Sequence, residues 1–310
     1  MHPSFSVIFF TTLSGLGYGL WIWSASALLH YGSQRGVHYL MPLALGALPV
    51  TVGLLSSVFH LGRPARAWRA FSQWRSSWLS REGLLAVLAY LPWAFIVWSA
   101  LFGQGVPVWA MKVALLALLL LSLAVLACTA MIYASLKPIP AWRHWAVLPS
   151  YLGFALLTGG LAAATVYAVS EWPGRVAQYG LPALALLMGA LKWRYWRDID
   201  REPLPADRAS ALGLPAGRQA SVFERPHTEA NYITREMGFV LARKHGRRLR
   251  LIALLLFAVL PAALGILAFL PASGPSALLL GLATACALLG AIVERWLFFA
   301  QARHLVMLYY

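Results

Sequence analysis

Charge is what this chain has least of. Only 11% of its 310 residues are Asp, Glu, Lys or Arg, less than half the usual soluble share, while 60% are hydrophobic and the mean hydropathy is +0.69. That leaves too little polar material to cover a water-facing surface, so a soluble globular domain is excluded and an integral membrane protein is implied. Acidic residues are scarcest, ten against 25 Lys and Arg, and no series of carboxylates crosses the apolar segments, which argues against a proton pump. Cysteine is nearly absent. Cys128 and Cys286 each stand alone in an apolar run, which rules out a disulfide framework and a cysteine-held iron–sulfur or zinc centre within the chain. No basic residue precedes the first apolar run, and that run outlasts the roughly 7 to 15 residues of a signal-peptide core, so it is expected to be a retained helix.

Alternation of apolar and polar residues is missing too, and with it the pattern of a lipid-facing β-barrel. What is present is a set of continuous apolar segments, each near the ~20 residues that cross a bilayer core as a helix. They fall at about 6–29, 38–61, 83–103, 108–134, 146–170, 176–196, 250–270 and 275–300. The expected fold is therefore an all-α integral membrane protein, eight transmembrane helices in a bundle, with residues 1–310 forming a single membrane domain. Pro42, Pro49, Pro92, Pro182 and Pro261 are compatible with this, because neighbouring helices can satisfy the carbonyls that a proline frees. Small-residue runs such as "GLGYG" at 15–19 and "LLTGGLAAA" at 156–164 suit close helix packing without identifying the seams.

Basic residues are unevenly distributed. Five arginines occupy 62–82, Lys137 and Arg143 occupy 135–145, and thirteen Lys or Arg occupy 192–250; the alternate connections together hold only Arg35 and Arg175. The positive-inside tendency places the basic connections and both termini in the cytoplasm. Binding of an acidic partner is a second reason for the same bias. The long connection at about 197–250 reads as an irregular cover, "REPLPADRASALGLPAG", followed by "PHTEANYITREMGFVLARKHGRRLR", which is expected to re-form a helix leading back to the membrane. It is too small for a catalytic domain and suits a docking surface.

One string concentrates what the rest lacks: "SSVFHLGRPARAWRAFSQWRSSWLSRE", residues 56–82. It places His60 at the end of span two and Glu82 at the start of span three, where the connection can bring them together at the membrane surface. A carboxylate beside an imidazole at the hydrocarbon edge can exchange the protons that quinone chemistry requires. The same residues also admit plainer roles, His60 capping span two and Glu82 pairing with Arg81 or another arginine. Trp68, Trp74 and Trp78 suit the headgroup level, and the arginines suit lipid phosphates or an acidic partner. Glu294 beside Arg295 in the last span is open to an ion pair or a proton path. The remaining histidines lie mostly at helix ends or in connections and offer no inward-facing axial pair, so neither haem nor a metal site is expected.

Three stretches carry a resemblance: "HPSFSVIFFTTLSGLGYGL" at 2–20, "FHLGRPARAWRAFSQWRSSWLSRE" at 59–82 and "PHTEANYITREMGFVLARKHGRRLR" at 226–250. Over essentially its full length the chain resembles the membrane anchor subunit of the anaerobic dimethyl sulfoxide reductase family. The resemblance implies an anchor in the bacterial inner membrane that binds quinone or quinol and holds no metal of its own. It implies two partners, a ferredoxin-like iron–sulfur subunit and a catalytic subunit with molybdenum in bis-molybdopterin guanine dinucleotide. The family's quinol-linked histidine and glutamate match His60 and Glu82; Arg63, Ser14 and Tyr18, from the matching stretches, complete the expected quinone site. Arg66, Arg69, Arg75 and Arg81 are the expected docking residues. Such anchors accompany reductases of dimethyl sulfoxide and related acceptors in anaerobic respiration, and also a cytoplasmic sulfite-oxidising enzyme, which the charge-derived topology favours. A solute carrier or channel is the alternative from another class, although no matching pair of broken helices supports it.

Overall fold

The computed structural model describes residues 4–31, 40–59, 61–102, 105–169, 179–202, 204–215, 217–221, 223–224, 241–270 and 276–309. Among these residues all regular structure is helical: α1 Phe5–Tyr31, α2 Met41–Val58, α3 Trp78–Phe102, α4 Val108–Ala134, α5 Val147–Val169, α6 Leu181–Arg201, the single turn α7 Arg208–Ala211, α8 Leu241–Leu254, α9 Leu260–Ala268 and α10 Ala277–Ala300. A wide π turn, Leu255–Val259, joins α8 to α9. It precedes Pro261, whose ring has no N–H to return to the preceding turn.

Seven of these segments are long and apolar enough to cross a membrane: α1 to α5, the α8–α9 rod from His245, and α10. The chain is thus a multi-pass, all-α membrane protein. The segment expected at 176–196 is α6, and it differs from the rest. Its first half is apolar, whereas its second half carries Lys192, Arg194, Arg197, Asp198, Asp200 and Arg201. Because α6 runs to Arg201 and α8 has begun by Leu241, the irregular part of the long connection is shorter than 197–250. Of the helix expected within 226–250, residues 226–240 lie outside the described residues.

Polarity is turned inside out relative to a soluble bundle. Leu48, Leu91, Leu187 and Leu278 are each about two-thirds or more exposed, while Ser14, Glu82, Lys192, Glu294 and Arg295 are buried. Two apolar cores organise the helices. One, around Tyr18, Trp21, Ile96 and Leu118, belongs mainly to α1–α4; the other, around Phe154, Leu157, Phe257 and Phe298, belongs to α5, α6 and α8–α10. The halves meet where α1 crosses α5. A Cβ at Gly19 would stand 1.9 Å from the Ala155 carbonyl oxygen, and one at Gly159 would stand 2.3 Å from the Gly19 carbonyl carbon. Only glycine allows backbones this close, so these two residues form a specific seam among the many small residues of the chain.

One end of the bundle gathers the basic connections. The Ser56 hydroxyl donates to the Ser6 carbonyl at 2.9 Å, bringing the end of α2 to the start of α1. Trp142, between α4 and α5, donates its indole N–H to the Phe298 carbonyl at 3.0 Å, and the Leu305 N–H reaches the Pro138 carbonyl at 3.0 Å. Arg250, in the second half of α8, forms an ion pair with Asp200 at the end of α6. This basic face carries the arginine string and lies one turn above Glu82.

Candidate functional site

The basic string of 56–82 folds into a 3-10 helix, Pro64–Gln73, followed by the polar first turn of α3. Arg63, Arg66, Arg69 and Arg75 are exposed along it. Three guanidinium groups lie over neighbouring indoles, Arg69 on Trp68, Arg75 on Trp74 and Arg81 on Trp78, with Arg81 closest at 4.4 Å. This gives the tryptophans a second use beside anchoring at the headgroup level. Arg81 latches the loop to the helix: its Nε donates to the Trp74 carbonyl at 2.9 Å and Nη2 to the Arg75 carbonyl at 2.6 Å.

That latch turns Arg81 away from Glu82. Among the described residues Glu82 forms no ion pair, with Arg81 or any other cation, and its Oε1 is buried without a hydrogen-bond partner. The side chain is only 5% exposed, one turn below the start of α3. A buried unpaired polar group costs about 1–3 kcal/mol, more if charged, so a carboxyl in this state points to a ligand or a proton function rather than to a helix clamp.

Tyr18 supplies the second such group. It is fully buried on α1, its hydroxyl has no partner, and it lies within electrostatic reach of Glu82 and Tyr90. Its ring meets Trp21 edge-on at 5.5 Å; Trp21 stacks on Trp93 at 6.1 Å and meets Tyr90 at 5.4 Å. Both Trp21 and Trp93 donate to the Leu43 carbonyl of α2 at 3.0 Å, and the Tyr90 and Thr51 hydroxyls are 2.6 Å apart. Side chains, more than backbone packing, therefore bridge α2 to α3 across a floor provided by α1. Tyr90, Trp93, Trp21 and Thr51 were not singled out by sequence reasoning. Their signal was a Tyr and a Trp three residues apart on an otherwise aliphatic face.

The other expected residues are distributed differently. Ser14 is buried, but its hydroxyl donates to its own helix at the Phe10 carbonyl, 2.6 Å away, and it faces a separate small cavity. His60 lies outside the described residues. The structure thus brings Glu82 and Tyr18 into one region, puts Ser14 beside it, and leaves Arg63, Arg66, Arg69 and Arg75 on the surface above.

A second polar group lies in the other half. Lys192, Glu294 and Arg295 are all buried; Lys192 Nζ is 2.5 Å from Glu294 Oε1, and Arg295 Nη2 is 3.8 Å from Oε2. Lys192, expected among the basic residues of the long connection, is instead packed inside, with its ammonium 3.8 Å from the centre of the Tyr195 ring. Arg295 covers Tyr151 at 3.7 Å. Among the described residues no group of three or more His, Cys, Asp or Glu is arranged to hold a metal ion.

Comparison with known proteins covers the whole chain. Residues 1–301 match the family described as DMSO reductase anchor subunit (DmsC). A sulfite dehydrogenase subunit of Allochromatium vinosum is 34% identical over 336 aligned residues, covering 100% of this chain and 99% of that protein.

Proposed function

The chain belongs to the DMSO reductase anchor subunit family, and from that premise we propose that it ties a molybdopterin oxidoreductase to the membrane and exchanges electrons with the quinone pool at Glu82. The observation that carries the site is the buried Glu82 carboxyl, its Oε1 without a hydrogen-bond partner among the described residues, within electrostatic reach of the buried and likewise unpartnered Tyr18 hydroxyl. A quinone ring presents two oxygens that accept hydrogen bonds as quinone and donate them as quinol, which fits one proton-exchanging and one hydroxyl partner. A bound quinone takes up or releases two electrons and two protons. Glu82 holds and transfers a proton at Oε1, Tyr18 orients the ring through its hydroxyl, and the Trp21–Tyr90–Trp93 group closes the far end of the region, toward the start of α2. His60, two residues past the end of α2 in the sequence, is the second proton-exchanging group in this reading, and Arg63 stands at the mouth. Ser14 supports α1 more than it touches the ring.

Electrons enter or leave through a ferredoxin-like iron–sulfur subunit docked on the basic face, where Arg66, Arg69 and Arg75 are exposed and Arg81 holds the loop in shape. That partner in turn contacts a catalytic subunit holding the molybdopterin cofactor. In this reading α6 is an eighth span. It has 21 residues, about 31 Å of helix, and three of its charges, Lys192, Asp198 and Asp200, are met from other elements by Glu294, His144 and Arg250. An even count leaves both termini and the basic connections on one side, the cytoplasm.

The full-length similarity to a sulfite dehydrogenase subunit favours sulfite oxidation, with electrons flowing into the quinone pool, over reduction of dimethyl sulfoxide or a related acceptor. Purification in mild detergent tests this. The expected outcome is a three-subunit assembly containing iron, sulfide and molybdenum that reduces a quinone analogue on addition of sulfite. Saturable transport of a solute by the chain with no redox partner would overturn the assignment. Quinol-dependent reduction of dimethyl sulfoxide would reverse the direction.

A further inference from the structure

Three charges in a hydrocarbon-embedded interior need a reason. Lys192, Glu294 and Arg295 are each at most 3% exposed, and removing several charges from water costs several kcal/mol per ion, which a pair recovers only with good geometry and further hydrogen bonds. Here those bonds are incomplete: among the described residues Glu294 Oε2, Arg295 Nε and the Tyr151 hydroxyl have no hydrogen-bond partner. Apolar side chains of the same size would hold the helices at no such cost. The same three residues also sit between two polar spaces.

The first is a vestibule on the basic face, about 400 Å³, lined among others by Asp200, Arg247, Arg250 and Gln301. Tyr195 links it to the cluster, since its ring lies under Lys192 Nζ and its hydroxyl donates to the carbonyl of Ala141 in the vestibule wall at 3.0 Å. The second is a cavity with room for about one water, enclosed by Thr11, Thr12, Thr129, Thr158, Tyr151 and Arg295. Beyond it the polar track continues. Tyr151 stacks on Tyr133 at 6.0 Å, and Tyr133 lies within electrostatic reach of both Arg295 and Glu82. These groups lie below the basic face: Tyr133 near the end of α4, Tyr151 one turn into α5, Glu294 and Arg295 within two turns of the end of α10, and Lys192 midway along α6.

We propose that the Lys192–Glu294–Arg295 cluster is a proton relay connecting the basic-face vestibule, through the Tyr151 cavity, to Glu82. Glu294 and Lys192 form the carrying pair, able to exchange one proton between carboxylate and amine. Arg295 contributes a fixed positive charge facing Tyr151, Tyr133 and Glu294, and Arg250 of α8 lies within electrostatic reach of Lys192. The stoichiometry follows from the quinone reaction: reduction draws two electrons from the iron–sulfur partner and two protons from water at the basic face, and oxidation returns both. No charge crosses the membrane, because the relay opens and ends on the same side. This route rests on the reading of Glu82 as the quinone-linked carboxyl.

The test uses the intact complex and compares quinone-linked turnover with turnover to an artificial dye at the catalytic subunit. Lys192→Met combined with Glu294→Leu removes the carrying pair while keeping its volume; because it also takes from Arg295 its carboxylate, which is destabilising for a buried charge, assembly and dye-linked turnover are measured first. The expected result is normal dye-linked turnover, a quinone-linked rate lower by at least about tenfold, and a larger solvent deuterium effect on what remains. Tyr151→Phe removes only an unpartnered hydroxyl and keeps the ring under Arg295, so it decides the matter should the double variant fail to assemble; a slowed quinone-linked rate is expected. Parent quinone-linked rates in the double variant, or in Tyr151→Phe where that variant decides, would overturn the relay and leave the cluster as a helix clamp. Glu82→Gln, run in parallel, separates the two ideas. If it abolishes quinone-linked turnover while the cluster variants do not, the quinone site stands and the relay falls. If it alone retains the parent rate, the site at Glu82 falls, and the relay's endpoint with it.

Discussion

The crossing of α1 and α5 holds the two halves of the bundle together, and one added methyl should disturb it. In Gly159→Ala the new Cβ would stand 2.3 Å from the Gly19 carbonyl carbon and 2.4 Å from its Cα, about 1 Å short of ordinary contact. Both obstacles are backbone, so neither can turn aside, and the helices must part. Overpacking of this kind costs about 1–3 kcal/mol, and rigid opposing atoms place Gly159→Ala at the upper end. Gly15→Ala is the control: it lies on the same α1, and its Cβ would meet Ala155 Cβ at 3.9 Å, an ordinary contact. It should be neutral. Cys128, buried and free, reports the opening of the bundle. Heating the solubilised complex with a thiol-reactive fluorophore, with Cys286 replaced by serine, should show labelling at clearly lower temperature for Gly159→Ala than for Gly15→Ala. Identical melting curves would mean that the two halves are not held at this seam.

Two further outcomes follow from the site and the charge distribution. Tyr18→Phe removes a buried hydroxyl without a partner; assembly should be unaffected, and the apparent KM for a quinone analogue should rise about five- to thirtyfold, the value of one hydrogen bond to a ligand. An unchanged KM would remove Tyr18 from the site. Single cysteines at Ser72 and Ser221, with the native cysteines silent, should resist a membrane-impermeant thiol reagent in intact cells and react in inverted vesicles. Labelling of both from outside would invert the topology.

Much of this organisation was legible in the sequence because membrane helices announce themselves by composition. Seven apolar segments needed no partner information to be found, and Glu82 stood out because a carboxylate at the edge of an apolar run is costly. α6 was harder, since its charges neutralise one another only after folding: Asp198 meets His144 at 3.3 Å, and Asp200 meets Arg250. Lys192 read as the first residue of a basic connection because its partner, Glu294, is on a helix distant in the chain. The choice between Glu82 paired with Arg81 and Glu82 unpaired turned on where Arg81 sends its guanidinium, which depends on the loop's carbonyls rather than on residue types. The Trp21–Trp93–Tyr90 group was hidden for a related reason. Aromatic residues in a span are common at the headgroup level, and only the approach of α3 to α1 brings these into one stacked group.

Replacing Glu82 by Gln tests the central claim most directly. The change preserves size and hydrogen-bonding capacity and removes only the titratable proton, while Arg69→Gln removes one exposed charge of the docking loop. With assembly and dye-linked turnover at parent levels, Glu82→Gln should lower quinone-linked turnover by about a hundredfold or more, whereas Arg69→Gln should lower it far less and in a salt-dependent way. Parent quinone-linked turnover in Glu82→Gln across pH 6 to 8 would contradict the account: the carboxyl would then be no required proton acceptor, and the quinone pocket would have to lie elsewhere in the bundle.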